Sequence, residues 1–273
     1  MKSTFCFLVG LGLTATAIRT LAGPEPVWRD EFNQAVGSAP NPAKWAFDLG
    51  GGGWGNQELE VYTDARANSR IVADSEATDG KALAITAVRT DAGGYTSARL
   101  KTKGLFTTTY GRVEARLKLP RGQGAWSAFW MLGDDIGTVD WPACGEIDIM
   151  ENLGHKPATI HGSLHGPGYS GSRPLQRSYS LPDGHAFSDG YHVFAVDWSP
   201  GLIEWSVDRH VYHTCTPARL PANARWVFNG RPFFILLNLA IGGGWPGNPD
   251  ATTVFPQTLY VDYVRVYALS PGS

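Results

Sequence analysis

The chain has 273 residues, a formal net charge of -2 and 18% charged residues. A chain of this length buries one sizeable core, and a β-sandwich of this size is normally a single domain. No run or stripe of Lys and Arg is present, which excludes the charge pattern of a nucleic-acid-binding protein. The 33 glycines, 10 tryptophans and 10 tyrosines favour an all-β protein with many turns.

Residues 1–22 have the pattern of a secretory signal peptide. Lys2 supplies a positive charge, a largely apolar stretch follows, and Thr20-Leu21-Ala22 fits a cleavage site. The stretch is too short for a comfortable membrane span. We therefore expect a secreted, extracellular or periplasmic protein whose mature domain comprises residues 23–273. A buried apolar N-terminal strand is the alternative interpretation.

The chain has three cysteines, and one of them, Cys6, lies in the predicted signal peptide. Cys144 and Cys215 remain in the mature chain. A secreted protein with two cysteines can pair them as a disulfide, but they can equally remain as two buried thiols. The sequence leaves this question open because it does not place the two Cα atoms.

Strand-like patterns dominate the mature chain, and amphipathic helical periodicity is nearly absent. Residues 112–119 alternate strictly between apolar and charged side chains, which predicts a half-exposed antiparallel strand. Residues 233–241 are almost continuously apolar, which predicts a strand buried on both faces. Further strands are expected at 83–88, 191–198, 202–207 and 259–267. This number of strands predicts two stacked sheets with a jelly-roll or Greek-key arrangement.

Three acids in one strand-like segment carry the strongest functional signal. Residues two apart in a strand share a face, so Glu146 and Asp148 point the same way. Glu151 is out of phase with them. A β-bulge at Ile149 or Met150 inserts one extra residue and returns Glu151 to the same face. The sequence therefore predicts a row of three carboxylates on one sheet surface.

Such a row suits the hydrolysis of glycosidic bonds. Retaining glycosidases use one carboxylate as nucleophile and a second carboxyl group as acid and then base. Clustered carboxyl groups cannot all ionise cheaply, so at least one pKa is expected to rise. A solvated acidic edge and a calcium or magnesium site are the alternative interpretations of the same three residues.

The sequence resembles glycoside hydrolase family 16, and within it the bacterial-type laminarinases, which are endo-β-1,3-glucanases. The likeness covers nearly the whole mature chain, and its most specific part is Trp141-Pro142 followed by residues 145–151. Met150 is the extra residue that marks the bulged branch of the family. The resemblance implies an all-β, concanavalin A-like jelly roll, an antiparallel sandwich with a concave substrate cleft. It also implies that Glu146 is the nucleophile, Glu151 the acid/base and Asp148 an electrostatic helper.

Several tryptophans lie beside turn residues and have little core to fill. Sugar rings stack on exposed indoles, and the indole N–H can bind a hydroxyl group. Together with the family resemblance, this predicts that the substrate binds to Trp54, Trp126, Trp130, Trp141, Trp245, Asn56, Glu58, Arg99, His161 and His165. Trp198 and Trp205 lie in strand centres and are expected in the core.

The resemblance also implies a structural calcium ion bound by Glu31 in the first strand and Asp262 in the last. Two oxygen ligands together with backbone carbonyls can hold calcium. The alternative is that both are ordinary strand acids. The sequence contains no P-loop and no dinucleotide-binding fingerprint, so no organic cofactor is expected.

The predicted function is the hydrolysis of internal β-1,3 bonds, with mixed β-1,3-1,4-glucan as a further substrate. We expect a polysaccharide as the binding partner, no nucleic acid, no membrane span and a monomer. One alternative is a glucan-binding protein that has lost catalysis, although binding alone does not need the three acids. Another is the same chemistry on agarose, carrageenan or xyloglucan. Transfer of the glycosyl group to a sugar instead of water is also open.

Overall fold

The computed structural model describes residues 25–182 and 184–269, and the predicted signal peptide with Cys6 lies outside this part of the chain. The described residues contain seventeen strands and no α-helix; a 3-10 turn spans Pro217–Arg219. The strands are β1 (Trp28–Asp30), β2 (Ala46–Asp48), β3 (Glu60–Tyr62), β4 (Ser69–Ala73), β5 (Lys81–Arg89), β6 (Tyr95–Ser97), β7 (Arg99–Lys101), β8 (Gly111–Lys118), β9 (Ala125–Gly133), β10 (Glu146–Leu153), β11 (Thr159–His165), β12 (Leu175–Ser180), β13 (His192–Ser199), β14 (Leu202–Val207), β15 (His210–Cys215), β16 (Phe233–Ile241) and β17 (Gln257–Tyr267).

The strands form two sheets that pack against each other. The larger sheet has the order β15-β14-β13-β8-β17-β5-β6-β3, with β1 paired to β17 and β4 paired to β5. The smaller sheet has the order β12-β11-β10-β9-β16-β7-β2. Across residues 25–182 and 184–269, every strand pair is antiparallel except the short pair β3 and β6. The predicted all-β, two-sheet sandwich is confirmed.

The core lies between the two sheets. On β8, Val113, Ala115 and Leu117 are fully buried, while Arg112 and Lys118 face outward and form ion pairs. The alternation of residues 112–119 therefore predicted this strand and its inner face correctly. The other four predicted strands correspond to β5, β13, β14 and β17.

Strand β16 is buried along its whole length, as its apolar sequence predicts. One side faces the main core. On the other side, Phe234 and Leu236 form a second small cluster with Leu132 and Cys144, and Trp130 packs against it. A central strand with both faces covered is the setting in which a continuous apolar run is stable.

The predicted core tryptophans and the two cysteines are all buried. Trp198 and Trp205 are 1% and 0% exposed, so their assignment to the core is confirmed. Cys144 and Cys215 are both buried free thiols. The structure therefore answers the question that the sequence left open, because these two cysteines do not form a disulfide.

The two acids predicted to bind calcium are each neutralised by an arginine. Asp262 accepts hydrogen bonds from the backbone N and Oγ1 of Thr78, at 3.0 and 2.7 Å, and pairs with Arg116. Glu31 forms a two-fold contact with Arg265, at 2.9 and 2.7 Å. Guanidinium groups and Thr78 thus occupy the oxygens that calcium needs. As arranged, these residues do not fit a shared calcium ion, and calcium binding stays a prediction.

Within the described ranges, none of the protein's elements is a helix with the length and apolar character needed to cross a membrane.

Candidate active site

The three acids that the sequence singles out lie on β10, in the smaller sheet. Asp148 and Met150 are opposite consecutive residues of β9, so Ile149 is an extra residue in the pairing. On the other side, the register with β11 shifts between Asp148 and Glu151. The predicted β-bulge is therefore present. Glu146, Asp148 and Glu151, called the acid cluster below, all line the same cleft.

Side chains from the neighbouring strands hold the bulge in place. A bulge disrupts the backbone ladder locally, and Nε1 of the buried Trp205 on β14 donates a hydrogen bond to the Asp148 carbonyl at 2.8 Å. Gly162 of β11 lies beside this indole. A Cβ at Gly162 would come within 2.6 Å of Trp205 Cδ1 and 2.5 Å of the Tyr212 hydroxyl. Only glycine therefore lets the indole reach the bulged strand.

Glycine is also required where the chain enters β10. Gly145 has a φ of 83°, a conformation that side chains with a Cβ rarely adopt. A Cβ there would lie 2.9 Å from Cζ of Phe233. Gly145 therefore turns the loop directly into the strand and sets the position from which Glu146 enters the cleft.

The two glutamates of the acid cluster receive hydrogen bonds from tryptophans. Nε1 of Trp141 donates to Oε2 of Glu146 at 2.8 Å, and Nε1 of Trp126 donates to Oε1 of Glu151 at 3.1 Å. In the part of the chain that the structure describes, no Lys or Arg lies within 4.0 Å of either carboxyl group. The cluster therefore faces dipoles instead of full positive charges, apart from any charge that His165 carries.

Burial without a strong cation raises all three pKa values. Burial raises the pKa of Glu146 to about 8, and the charge of Asp148 adds to the rise. Burial raises the pKa of Asp148 to about 7. Burial and then the charge of Asp148 raise the pKa of Glu151 well above its ordinary value. The cluster therefore retains protons near neutral pH, which is the state that a general acid needs.

His165 faces the acid cluster from β11 and carries its proton on a defined nitrogen. Its Nδ1 accepts a hydrogen bond from the backbone N–H of Gly171 at 3.2 Å. The proton of a neutral ring must then lie on Nε2, which is 3.1 Å from Oδ2 of Asp148 and 4.0 Å from Oε1 of Glu146. This arrangement orients an N–H toward the two carboxylates.

The same three side chains are also the candidate metal ligands. Ligand atoms of Glu146, Asp148 and His165 all lie within 4.8 Å of one another. A metal would need the lone pair of Nε2, but the Gly171 contact places a proton there. In this tautomer His165 is therefore not available as a metal ligand, and the calcium or magnesium interpretation of the three acids stays open.

The acid cluster lies in a cleft of about 970 Å³ on the smaller sheet, and nine of the ten predicted sugar-binding residues line it. These nine are Trp54, Asn56, Glu58, Arg99, Trp126, Trp130, Trp141, His165 and Trp245. Trp141 and Trp245 are 43% and 40% exposed, which leaves ring surface free for a sugar. The structure therefore brings the predicted platform and the acids together.

Arg99 lies between two of the cleft tryptophans. Its guanidinium carbon is 4.9 Å from the ring centre of Trp54 and 4.8 Å from that of Trp130. Its Nε is 3.0 Å from Oδ2 of Asp48. Cation–π contacts on both sides fix the two indoles relative to each other. The charge of Arg99 is already paired, which makes it a poor anchor for a sulfated substrate.

His161 is the predicted sugar-binding residue that the structure places behind the cleft wall. Its Nδ1 accepts a hydrogen bond from Nε2 of Gln176 at 2.8 Å. Its ring packs edge-on against Trp245, with ring centres 4.9 Å apart. The alternation with His165 places both histidines on the same strand face, but the side chains of Gln176 and Trp245 lie in front of His161. A supporting role fits this position, and direct sugar contact stays a prediction.

Sequence reasoning missed several polar residues around the cleft. Gln176 on β12 and Asn238 on β16 line it directly. The hydroxyl of Tyr62 lies behind Asn238, which donates to it at 3.1 Å. A signal for Asn238 was present, because it is the single polar residue in the apolar run 233–241, and a buried amide needs partners. Gln176 lies in a polar strand and has no comparable signal.

Comparison with known proteins gives matches over the region that builds this site. The sequence pattern of the family described as Glycosyl hydrolases family 16 matches residues 59–265, which include the whole acid cluster. The chain is 44% identical over 256 residues to a beta-glucanase of Rhodothermus marinus, and the match covers 89% of this chain and 85% of that protein.

Solved structures show the same architecture. An endo-beta-1,3-glucanase from Pyrococcus furiosus matches with a TM-score of 0.82 and 49% identity, covering 90% of this chain and 95% of the other. The laminarinase catalytic domain from Thermotoga maritima matches with a TM-score of 0.79 and 44% identity, covering 92% and 100% of the two chains. At these identities and coverages, the match extends to both sheets and the cleft.

Proposed function

The chain belongs to glycosyl hydrolases family 16, and from this premise we propose that it hydrolyses internal β-1,3 bonds of laminarin-type glucans with retention of configuration. Mixed β-1,3-1,4-glucan is the second substrate class. The relatives named as beta-glucanase, endo-beta-1,3-glucanase and laminarinase support this specificity. The observation that carries the proposal is the bulge on β10, which places three carboxyl groups in one cleft.

The reaction is a double displacement on β10. Glu151, whose pKa is raised by burial, donates its proton to the glycosidic oxygen. Glu146 attacks the anomeric carbon and forms a glycosyl-enzyme. A water molecule then attacks this intermediate, while Glu151 accepts the proton of the water. The two glutamates therefore alternate between charged and neutral states during each turnover.

Asp148 and the two indoles adjust which carboxyl group is charged. The N–H of Trp141 and the neighbouring His165 both lower the pKa of Glu146 and so favour its ionised form. The charge of Asp148 raises the pKa of Glu146, so the two acids do not both ionise readily. When Glu146 acts as nucleophile, a proton on Asp148 limits the repulsion between the two groups.

Product analysis on purified protein tests the proposed function. We expect new reducing ends and short oligosaccharides from laminarin, fewer products from mixed-linkage glucan, and none from agarose. Proton NMR during the first turnovers should show the β-anomer before mutarotation. Release of the α-anomer would contradict retention, and absence of new reducing ends would reject the hydrolase in favour of a glucan-binding protein.

Chemical rescue distinguishes the roles of the two glutamates. Glu146→Gly removes the nucleophile and leaves space on one face of the anomeric carbon. Azide entering that space should restore turnover and give an α-glycosyl azide, because it attacks from the side that Glu146 occupied. A β-glycosyl azide from this variant would show that Glu146 is the acid/base and Glu151 the nucleophile.

We also propose that the protein acts outside the cytoplasm as a monomer. Large glucans do not enter cells intact, and the sequence pattern of residues 1–22 supports export. N-terminal sequencing of secreted protein and its mass in solution test these two points.

A further inference from the structure

Two buried acids lie at the end of the cleft away from β11 and have no cation beside them. Glu60 is 1% exposed and Glu58 is 8% exposed. In the described part of the chain, no Lys, Arg or His comes within 4.0 Å of either carboxyl group. Two unpaired negative charges buried together are costly, so the pair requires a proton. We call Glu58 and Glu60 the carboxyl pair.

A chain of hydrogen bonds determines which member is charged. The indole Nε1 of Trp130 can only donate, and it donates to Oδ1 of Asn238 at 2.8 Å. The amide nitrogen of Asn238 must then donate onward, and it reaches the hydroxyl oxygen of Tyr62 at 3.1 Å. The proton of that hydroxyl points to Oε2 of Glu58, at 3.1 Å. Every bond in this chain runs toward Glu58.

The other oxygen of Glu58 is also an acceptor. Nδ2 of Asn56 donates to Oε1 of Glu58 at 3.0 Å. With donors on both oxygens, Glu58 is satisfied as a carboxylate, and a proton of its own on either oxygen would compete with one of these donors. The proton of the carboxyl pair therefore belongs to Glu60.

The contacts of Glu60 agree with this assignment. Its Oε2 accepts a hydrogen bond from the backbone N–H of Ile241 at 2.6 Å. Its Oε1 is buried and has no donor within reach. A buried carboxyl oxygen without a donor is costly as an anion but is the expected position for the acid proton. The charge of Glu58 and a side-chain interaction with it both raise the pKa of Glu60, which points to Glu58 as the acceptor of this proton.

We propose that Glu60 is a positioning residue that stays neutral and gives its proton to a hydrogen bond with Glu58, which fixes the sugar-binding side chains of Asn56 and Trp130. Trp130 lies opposite Asp148 in the pairing of β9 with β10. The hydrogen-bond chain thus links a buried acid at the edge of the sheet to a cleft indole on the strand next to the acid cluster. Nothing in the proposed hydrolysis uses Glu60 directly.

The surroundings of Glu60 explain why it holds the proton. Burial, followed by the charge of Glu58, raises the pKa of Glu60 to about 8. Glu58 and Tyr62 are the titratable groups on the same segment. Tyr95 is opposite Glu60 on β6, and the charge of Arg99 on β7 reaches Tyr62. Strand β16 contributes only the neutral groups of Ile241 and Asn238.

Ionisation of Glu60 should weaken glucan binding before it affects the chemistry. Above about pH 8 the pair becomes two adjacent anions, so Glu58, together with Asn56, should be pushed away from Glu60, which stays bound to the Ile241 N–H. The amides and the indole then lose their fixed orientation. The acid cluster lies on a different strand, so the turnover of bound glucan is less affected by this step.

Glu60→Gln is the decisive variant because glutamine keeps both hydrogen bonds without a titratable proton. We expect KM for laminarin to rise about tenfold between pH 7 and pH 9.5 in the unchanged protein, the loss expected for one hydrogen bond to a charged group. Glu60→Gln should keep a constant KM over this range and a normal KM at pH 7. Loss of the Glu151 proton lowers kcat at high pH, and this decline should be the same in the unchanged protein and in Glu60→Gln.

Two further variants complete the test. Glu60→Leu, which makes neither hydrogen bond, should raise KM equally at every pH. Glu204→Gln on β14 is the matched control, because it makes the same chemical change near the opposite edge of the larger sheet, away from the cleft, and should reproduce the pH dependence of the unchanged protein. If KM of Glu60→Gln rises with pH as steeply as in the unchanged protein, the inference is wrong.

An infrared measurement tests the proton without any substrate. The difference spectrum between the unchanged protein and Glu60→Gln at pH 7 should contain the carbonyl band of a protonated carboxyl group, and this band should disappear by pH 9.5. Its absence at pH 7 would overturn the inference. The kinetic readout rests on the proposed function, but this spectrum does not, so the two proposals fail separately.

Discussion

Two groups of acids on opposite sheets have opposite kinds of partner. On the larger sheet, Asp262 is neutralised by Arg116, and Glu31, which follows β1, is neutralised by Arg265. On the smaller sheet, the acid cluster receives indole N–H groups and a histidine, with no Lys or Arg within 4.0 Å in the described residues. Both surfaces carry several acids, and only their partners differ.

This difference separates structural acids from reactive ones. A guanidinium group favours the charged carboxylate, which then has no tendency to take or release a proton near neutral pH. Burial beside neutral donors does the reverse and raises the pKa of Glu146 to about 8. Such acids are unfavourable for stability when ionised, but they can transfer protons. Burial alone therefore does not make an acid reactive; the partners of the buried carboxyl group must also be neutral.

Removing the acids of the cluster should have the largest effect. Glu146→Gln should lower kcat by at least about 10³-fold because the nucleophile is lost, and Glu151→Gln by about 10²- to 10⁴-fold because proton transfer is lost. Laminarin binding, measured by calorimetry, should persist in both variants. Near-normal turnover of either would show that the chemistry lies elsewhere.

The matched change on the larger sheet is Glu114→Gln. Glu114 is 8% exposed, as Glu151 is, but it pairs with Arg112 at 2.8 Å. We expect kcat to remain within about twofold, because the residue touches neither the cleft nor its support. A large loss of kcat in this variant would remove the distinction between the two sheets.

The next largest effect is expected on stability, from Asp262→Asn. This change leaves Arg116 beside a neutral amide and weakens the contacts to Thr78, and breaking a buried ion pair costs about 3–5 kcal/mol. Urea unfolding should show a lower midpoint with an unchanged slope, while kcat at low denaturant stays normal. Unchanged stability would mean that water screens the ion pair between Asp262 and Arg116 and that the pair contributes nothing to folding. Addition of calcium should not restore the lost stability, since Asp262 and Glu31, as arranged with their arginines, do not fit a shared calcium ion.

The sequence predicted the sandwich well because most strands bury one face or both. The alternation in 112–119 and the apolar run 233–241 each correspond to a strand with the expected burial. The short strands β2, β3, β6 and β7 have three residues each and were not predicted. A period of two cannot be recognised in three residues, and these strands form through their partners.

The acid cluster was predictable because the extra residue on β10 is visible as a break in phase. The support behind it was not. Trp205 was correctly expected in the core, but its hydrogen bond to the carbonyl of Asp148 joins residues 57 positions apart. The position of His161 behind Gln176 depends on the pairing of β11 with β12, which no local pattern specifies. Contacts between sheets and between distant strands are the part that the sequence alone does not give.

The smallest expected effect comes from the indole beside the nucleophile. Trp141→Phe keeps a ring for the sugar but removes the N–H that donates to Glu146 at 2.8 Å. That hydrogen bond lowers the pKa of Glu146, so its loss raises the pKa further. Because Glu146 must be ionised to attack, the acidic limb of the kcat/KM profile should move to higher pH. At pH 6 the loss should be about tenfold, the size of one hydrogen bond to a charged group.

Toward alkaline pH the two proteins should converge, because Glu146 is ionised in both. Trp226→Phe is the control: its Nε1 donates to Oδ1 of Asn229 at 3.0 Å, away from the cleft, and its profile should not move. If the acidic limb of Trp141→Phe stays in place, the indole does not set the charge of the nucleophile. The difference between the sheets would then rest on the absence of cations alone, since a neutral donor would have no measurable part in it.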